Sequence, residues 1–123
     1  MVKLQVHIGE GALLETAQRI CEQIKDKSEH PLTVGLIRYE GCDGYRYAIY
    51  GITMLVPGYR FGIMPFTRHY PLLGIRLGTH PRNPDQKIIC TVYHRAILEI
   101  AKREIKKCAE TAHKCTIEIK LED

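Results

Sequence analysis

Apolar positions along the chain change their period several times, and each change predicts an element. From Lys3 to Ile8 the residues Leu4, Val6 and Ile8 alternate with others, the two-residue period of a strand. Gly9-Glu10-Gly11 interrupts it. From Ala12 the apolar residues recur at Leu13, Leu14, Ala17, Ile20, Cys21 and Ile24, a three-four spacing that predicts a helix. The polar stretch that follows runs into Pro31, which forbids continuation.

Leu32 to Tyr39 is β-branched and apolar and predicts a strand. Gly41-Cys42-Asp43-Gly44 reads as a turn, and Tyr45 to Met54 returns as the second strand of a hairpin. Pro57-Gly58 is the next turn signal, so Tyr59 to Met64 predicts another strand. Pro65 to Tyr70 reads as a connection and Pro71 to Gly78 as a further strand.

Beyond the loop Thr79–Asn83, Asn83-Pro84-Asp85-Gln86 has the form of a helix start. A cap is followed by proline at the first helical position, an acid, and glutamine to close a capping box. Ile88, Ile89, Val92, Tyr93, Ile97, Ile100, Ala101, Ile105 and Cys108 carry a three-four stripe onward, which predicts one long helix to Ala112. Ile117, Ile119 and Leu121 alternate and end the chain as a strand from Thr116.

The order is β-α-β-β-β-β-α-β, with no repeat, low-complexity tract or linker. It predicts a single domain over residues 1–123 of the α/β (α+β) kind. The architecture is a two-layer sandwich: a mostly antiparallel sheet of about six strands, with both helices packed on one face. The other face is left to solvent, a ligand or another subunit.

Charge changes this picture locally. The net charge of +4 is mild. Between Gly44 and Pro84, however, there is no acid and no lysine, but five arginines and two histidines. Tyr45, Tyr47, Tyr50, Tyr59, Phe61, Phe66 and Tyr70 lie in the same block. Arginine is a rigid, always-charged fork that matches phosphate and carboxylate and stacks on rings. Strand periodicity puts Arg46, Arg60 and Arg76 on one face over Ala48, Gly62, Gly74 and Gly78. Like charges stacked across strands call for an anion between them. Arg68, His69, His80 and Arg82 flank that face, and Tyr50 adds a ring, so these eight residues form the expected ligand site.

The expected function is non-enzymatic binding of an anionic phosphorylated small molecule, a nucleotide or nucleotide-derived signal, in a homo-oligomer. The first alternative is RNA or DNA binding by the same face. The second is an enzyme on a phosphorylated or carboxylated substrate, using His69, His80 or Cys42. A plain subunit-contact surface is the competing use of the arginines.

No cofactor and no metal is expected. Gly9-Glu10-Gly11 lacks the third glycine of a dinucleotide fingerprint, since Leu14 stands there. Cys90 and His94 share a face of the predicted helix, but no third ligand accompanies them. The five cysteines include no CxxC pair and read as reduced thiols of a cytoplasmic protein. No apolar run approaches a membrane span, and the first residues lack the pattern of a secretory leader, so no membrane partner is expected.

Overall fold

The computed structural model describes residues 7–122 except 43, 81 and 113, and only the backbone of Cys42. In chain order it contains α1 (Glu10–Ile24), β1 (Leu32–Cys42), β2 (Tyr45–Arg60), β3 (Met64–Leu77), β4 (Gln86–Val92), α2 (Leu98–Ala109) and β5 (Cys115–Leu121). Five strands form one sheet in the order β1-β2-β3-β4-β5. The first three pairings are antiparallel, and β4 with β5 is parallel. The fold is therefore α+β, with a mixed sheet of five strands among the described residues, where six strands were expected.

The helix stripe of α1 is buried as predicted, through Leu13, Ala17, Ile20, Cys21 and Ile24. It meets Ala101, Ile105 and Cys108 of α2 and the sheet residues Ile52, Leu73, Ile75, Ile88, Cys90 and Val92 in one core. At the α1–α2 contact, Glu104 is 4% exposed yet charged. It accepts hydrogen bonds from Gln23 Nε2 at 3.0 Å and Lys107 Nζ at 3.4 Å. The Gln23 bond holds its carboxyl below the usual range, burial works against this, and Lys107 and Arg103 add to the lowering.

Two expectations fail, and a third falls mostly outside the described residues. The predicted strand Lys3–Ile8 lies outside the described residues except for His7 and Ile8, which are not in a strand. Ile8 is nonetheless held: its N–H donates to Gln86 Oε1 at 2.6 Å and its carbonyl accepts from Gln86 Nε2 at 2.9 Å.

The predicted long helix begins fourteen residues late, because Gln86–Val92 is strand β4. Gln86, Ile88, Cys90 and Val92 are buried in strict alternation, between partners on both sides. A short apolar run fits either period, and here two neighbouring strands supply ladders that a helix would leave unused. The capping signal at Asn83 is an Asx turn, in which Asp85 N–H donates to Asn83 Oδ1 at 2.9 Å. The real helix entrance is at His94, whose Nδ1 accepts from Ala96 N–H at 3.2 Å as a short 3₁₀ turn (Arg95–Ile97) leads into α2.

Pro57-Gly58 is not a turn, and Tyr59–Met64 and Pro65–Tyr70 are not a strand and a connection. Instead β2 runs unbroken through Pro57 and Gly58, and the chain reverses at Phe61–Ile63. Phe61 and Gly62 adopt φ of 54° and 76°, and Ile63 N–H donates to the Arg60 carbonyl at 3.2 Å. Within the arm Gly58 stands opposite Phe66, whose ring covers it: an added Cβ would lie 3.2 Å from Phe66 Cζ. The ring supplies the packing that the glycine lacks.

The consequence is a free arm. The first residue of β1, Leu32, pairs with Met54, and Leu55 N–H still donates to the Pro31 carbonyl. On the other side β4 ends at Val92, opposite Leu73, and Tyr93 N–H donates to the Leu72 carbonyl. Beyond these points Val56–Arg60 and Met64–Arg68 pair only with each other among the described residues.

Candidate functional site on the β-arm

Strand phase decides which expected site residues meet. In β2 the even-numbered residues lie on the helix side, with Tyr50 and the core residue Ile52. Arg46 and Arg60 share that side. They are fourteen positions apart, on the order of 40 Å along a strand. Arg76 pairs with Ile89 and follows Ile75, which is in the core, so it lies on the opposite, uncovered face. The three arginines therefore form no common cradle. The expectation of a shared face assumed a turn at Pro57-Gly58 that would have brought Arg60 back beside Arg46.

Each residue has its own surroundings. The exposed Arg46 guanidinium lies 4.6 Å above the Tyr39 ring. The Tyr50 hydroxyl donates to Glu10 Oε2 at 3.2 Å. His80 rests 5.0 Å from the Tyr45 ring, and its Nδ1 accepts from Arg82 N–H at 3.1 Å. Arg82 is exposed in that loop. His69 lies on the uncovered face, opposite Leu55, and lines a groove with Thr33, Gly35, Gly51 and Thr53.

Arg76 is neutralised within the chain. Its side chain is 17% exposed, with Nε 3.7 Å from Glu40. Its Nη1 donates to the Leu77 carbonyl at 3.0 Å, and the guanidinium stands 5.3 Å over Tyr47. Glu118 is held below the ordinary carboxylate range, first by its hydrogen bond to Lys87 and least by the charge of Arg76. The cavity beside Arg76 measures about 30 Å³, room for water but not for a nucleotide. The acid-free block of sequence thus receives its acids from β1 and β5.

The arm differs. Phe66 pairs with Gly58, Arg68 with Val56 and Tyr70 with Met54, so these side chains share the helix-side phase with Arg60. The Arg60 and Arg68 guanidinium carbons stand 5.2 and 5.3 Å from the Phe66 ring centre. Arg68 Nη1 donates to the Tyr70 hydroxyl at 3.3 Å. Both arginines are exposed, and neither meets a carboxylate within 4 Å among the described residues. Cation, ring, cation and phenol form a ladder along one side of the arm. Phe66 and Tyr70 were not expected in the site. Their two-residue spacing with Arg68 was visible, but the prolines at 65 and 71 made that segment read as a connection.

Paired nucleophile and base are not brought together by His69 and His80. His69 stands at the arm root, whereas His80 sits by Tyr45 at the far end of β2, roughly 30 Å along the strand. The Cys42 side chain and Asp43 lie outside the described residues. Cys90 is on β4 rather than a helix, which removes its helical pairing with His94, and burial pushes its thiol up to about 12. No cluster of three His, Cys, Asp or Glu suited to a metal occurs among the described residues. No helix there is long and apolar enough to cross a membrane. Comparison with protein-family models, curated proteins and solved structures returned no match.

Proposed function

We propose that this protein binds a phosphate-bearing, base-bearing ligand through the arm, and that the ligand is a nucleic-acid strand. The observation that carries this reading is the ladder of Arg60, Phe66, Arg68 and Tyr70, whose cations have no carboxylate partner among the described residues. Guanidinium groups take phosphates, and an exposed ring such as that of Tyr70 stacks bases without demanding a sequence. An open, elongated arm suits a polymer better than a mononucleotide, which is ordinarily enclosed.

A nucleotide-derived small molecule is the second reading, supported by the single Phe66 ring flanked by two guanidiniums. In either case the protein acts as a binder, in a homo-oligomer. The four described cysteines carry free thiols, which supports work in a reducing compartment such as the cytoplasm.

Fluorescence anisotropy with labelled single-stranded RNA and DNA across a salt series tests the reading. Binding that weakens steeply with salt and is lost in Arg60→Ala/Arg68→Ala is the expected result. Tight, nearly salt-independent binding of a mononucleotide would favour the second reading. No binding of either would refute both.

A further inference from the structure

The ladder occupies one side of the arm, and the other side is mostly apolar, interrupted by Thr67 and His69. Leu55, Pro57, Tyr59 and Pro65 share the phase of the uncovered sheet face. At the tip Phe61 is 92% exposed, Ile63 84% and Tyr59 70%. Phe61 also holds a positive φ, which costs a bulky residue about 1 kcal/mol or more. A two-stranded ribbon is marginal in water even without such a load. At the arm root, on the same uncovered face, lies a groove of about 440 Å³. Gly35 and Gly51 face each other across its floor, and Thr33, Thr53, Ile37 and His69 line it.

We infer that the occupant of this groove is the arm tip of a second copy of the chain. Projection and receptor sit on one face of one molecule, separated by the length of the arm, on the order of 25 Å from Thr53 to Phe61. Two arms laid antiparallel across a two-fold axis therefore bring each tip to the other's groove in a single operation. The contact is isologous and closed, so it stops at a dimer.

The area suffices. Tyr59, Phe61 and Ile63 together expose on the order of 500 Å². Two tips and the two grooves they enter then bury roughly 2,000 Å², at the upper end of ordinary stable interfaces. Packing through the apolar sides leaves both arginine ladders facing outward. The inference goes beyond the nucleic-acid reading and stands or falls separately from it.

Sedimentation equilibrium of the full chain tests it, with far-ultraviolet circular dichroism and a thermal melt to verify folding of each variant. Phe61→Ser removes the anchor. Gly35→Leu fills the groove from the receiving side, where nothing lies within 4 Å of an added Cβ and no positive φ is required. The wild type is expected to be a dimer, with each substitution weakening association by about thirtyfold or more. Arg60→Ala/Arg68→Ala should dimerise normally even though it loses nucleic acid. A monomeric wild type overturns the inference. So does a dimer that survives both Phe61→Ser and Gly35→Leu, which would point to pairing along the β1 edge. Loss of the dimer in the double arginine variant would also overturn it, by placing the ladder inside the interface.

Discussion

The body of the sheet and its arm are made from the same two strands and follow opposite rules. Within the body, Ile52, Leu73 and Ile75 are essentially inaccessible, and Arg76 on the uncovered face is paired with Glu40. Along the arm, large apolar side chains stand in solvent and the cations lack acid partners among the described residues. Burial decides what a residue is for. In the body a side chain contributes by filling space, whereas on the arm it has little intramolecular packing to lose and is free to meet a partner.

The largest test of this contrast is a pair of truncations. Ile88→Ala should cost about 3 kcal/mol of stability, because it opens a cavity at a fully buried site. Thr67→Ala, on the exposed shaft of the arm, should cost less than about 0.5 kcal/mol. Urea denaturation of both proteins measures the difference, and equal losses would mean the arm is as integral as the core.

Binding should show the reverse order. Arg60→Ala/Arg68→Ala should leave the unfolding midpoint nearly unchanged. It should also lower affinity for a single strand, with a log–log salt slope shallower by roughly 1.4 for two lost phosphate contacts. Arg76→Ala should cost about 1 kcal/mol of stability, through its partly buried contacts with Glu40 and Tyr47, and leave binding intact. An Arg76 variant that folds normally and loses binding would return the site to the uncovered face.

The smallest expected effect concerns acid. The folded carboxyl of Glu104 sits below its ordinary value, so its contribution is present at neutral pH and is lost as pH falls through the folded value. Stability of the wild type should therefore decline below about pH 4 more steeply than that of Glu104→Gln. Stability followed against pH for both proteins checks this, and parallel curves would remove Glu104 from the acid response. Substitutions on the arm should leave this limb unchanged.

Much of the body was legible because its patterns admit one reading. The α1 stripe persists long enough to exclude a strand, and the alternation of Ile117, Ile119 and Leu121 excludes a helix. Gln86–Val92 was misread because five consecutive apolar or β-branched residues satisfy both periods, and the Asx turn at Asn83 imitates a helix cap. The arm was misread because proline and glycine usually mark turns. Here Pro57 tolerates its missing N–H on a ribbon with no third strand, and Gly58 is covered by the Phe66 ring.

By itself, the sequence determined α1, the helical character of Leu98–Ala109 within a longer predicted helix, strands β1 and β5, and an arginine-rich, acid-free block with its aromatic residues. These are properties of local period and composition, carried by neighbours along the chain. Tertiary structure decided that Arg76 is neutralised while Arg60 and Arg68 meet no carboxylate among the described residues. Glu40 reaches Arg76 from the edge strand β1, across β2, through cross-strand register, which no local pattern encodes. It also decided that β2 and β3 outrun their neighbours, because a strand becomes an arm only where β1 and β4 end.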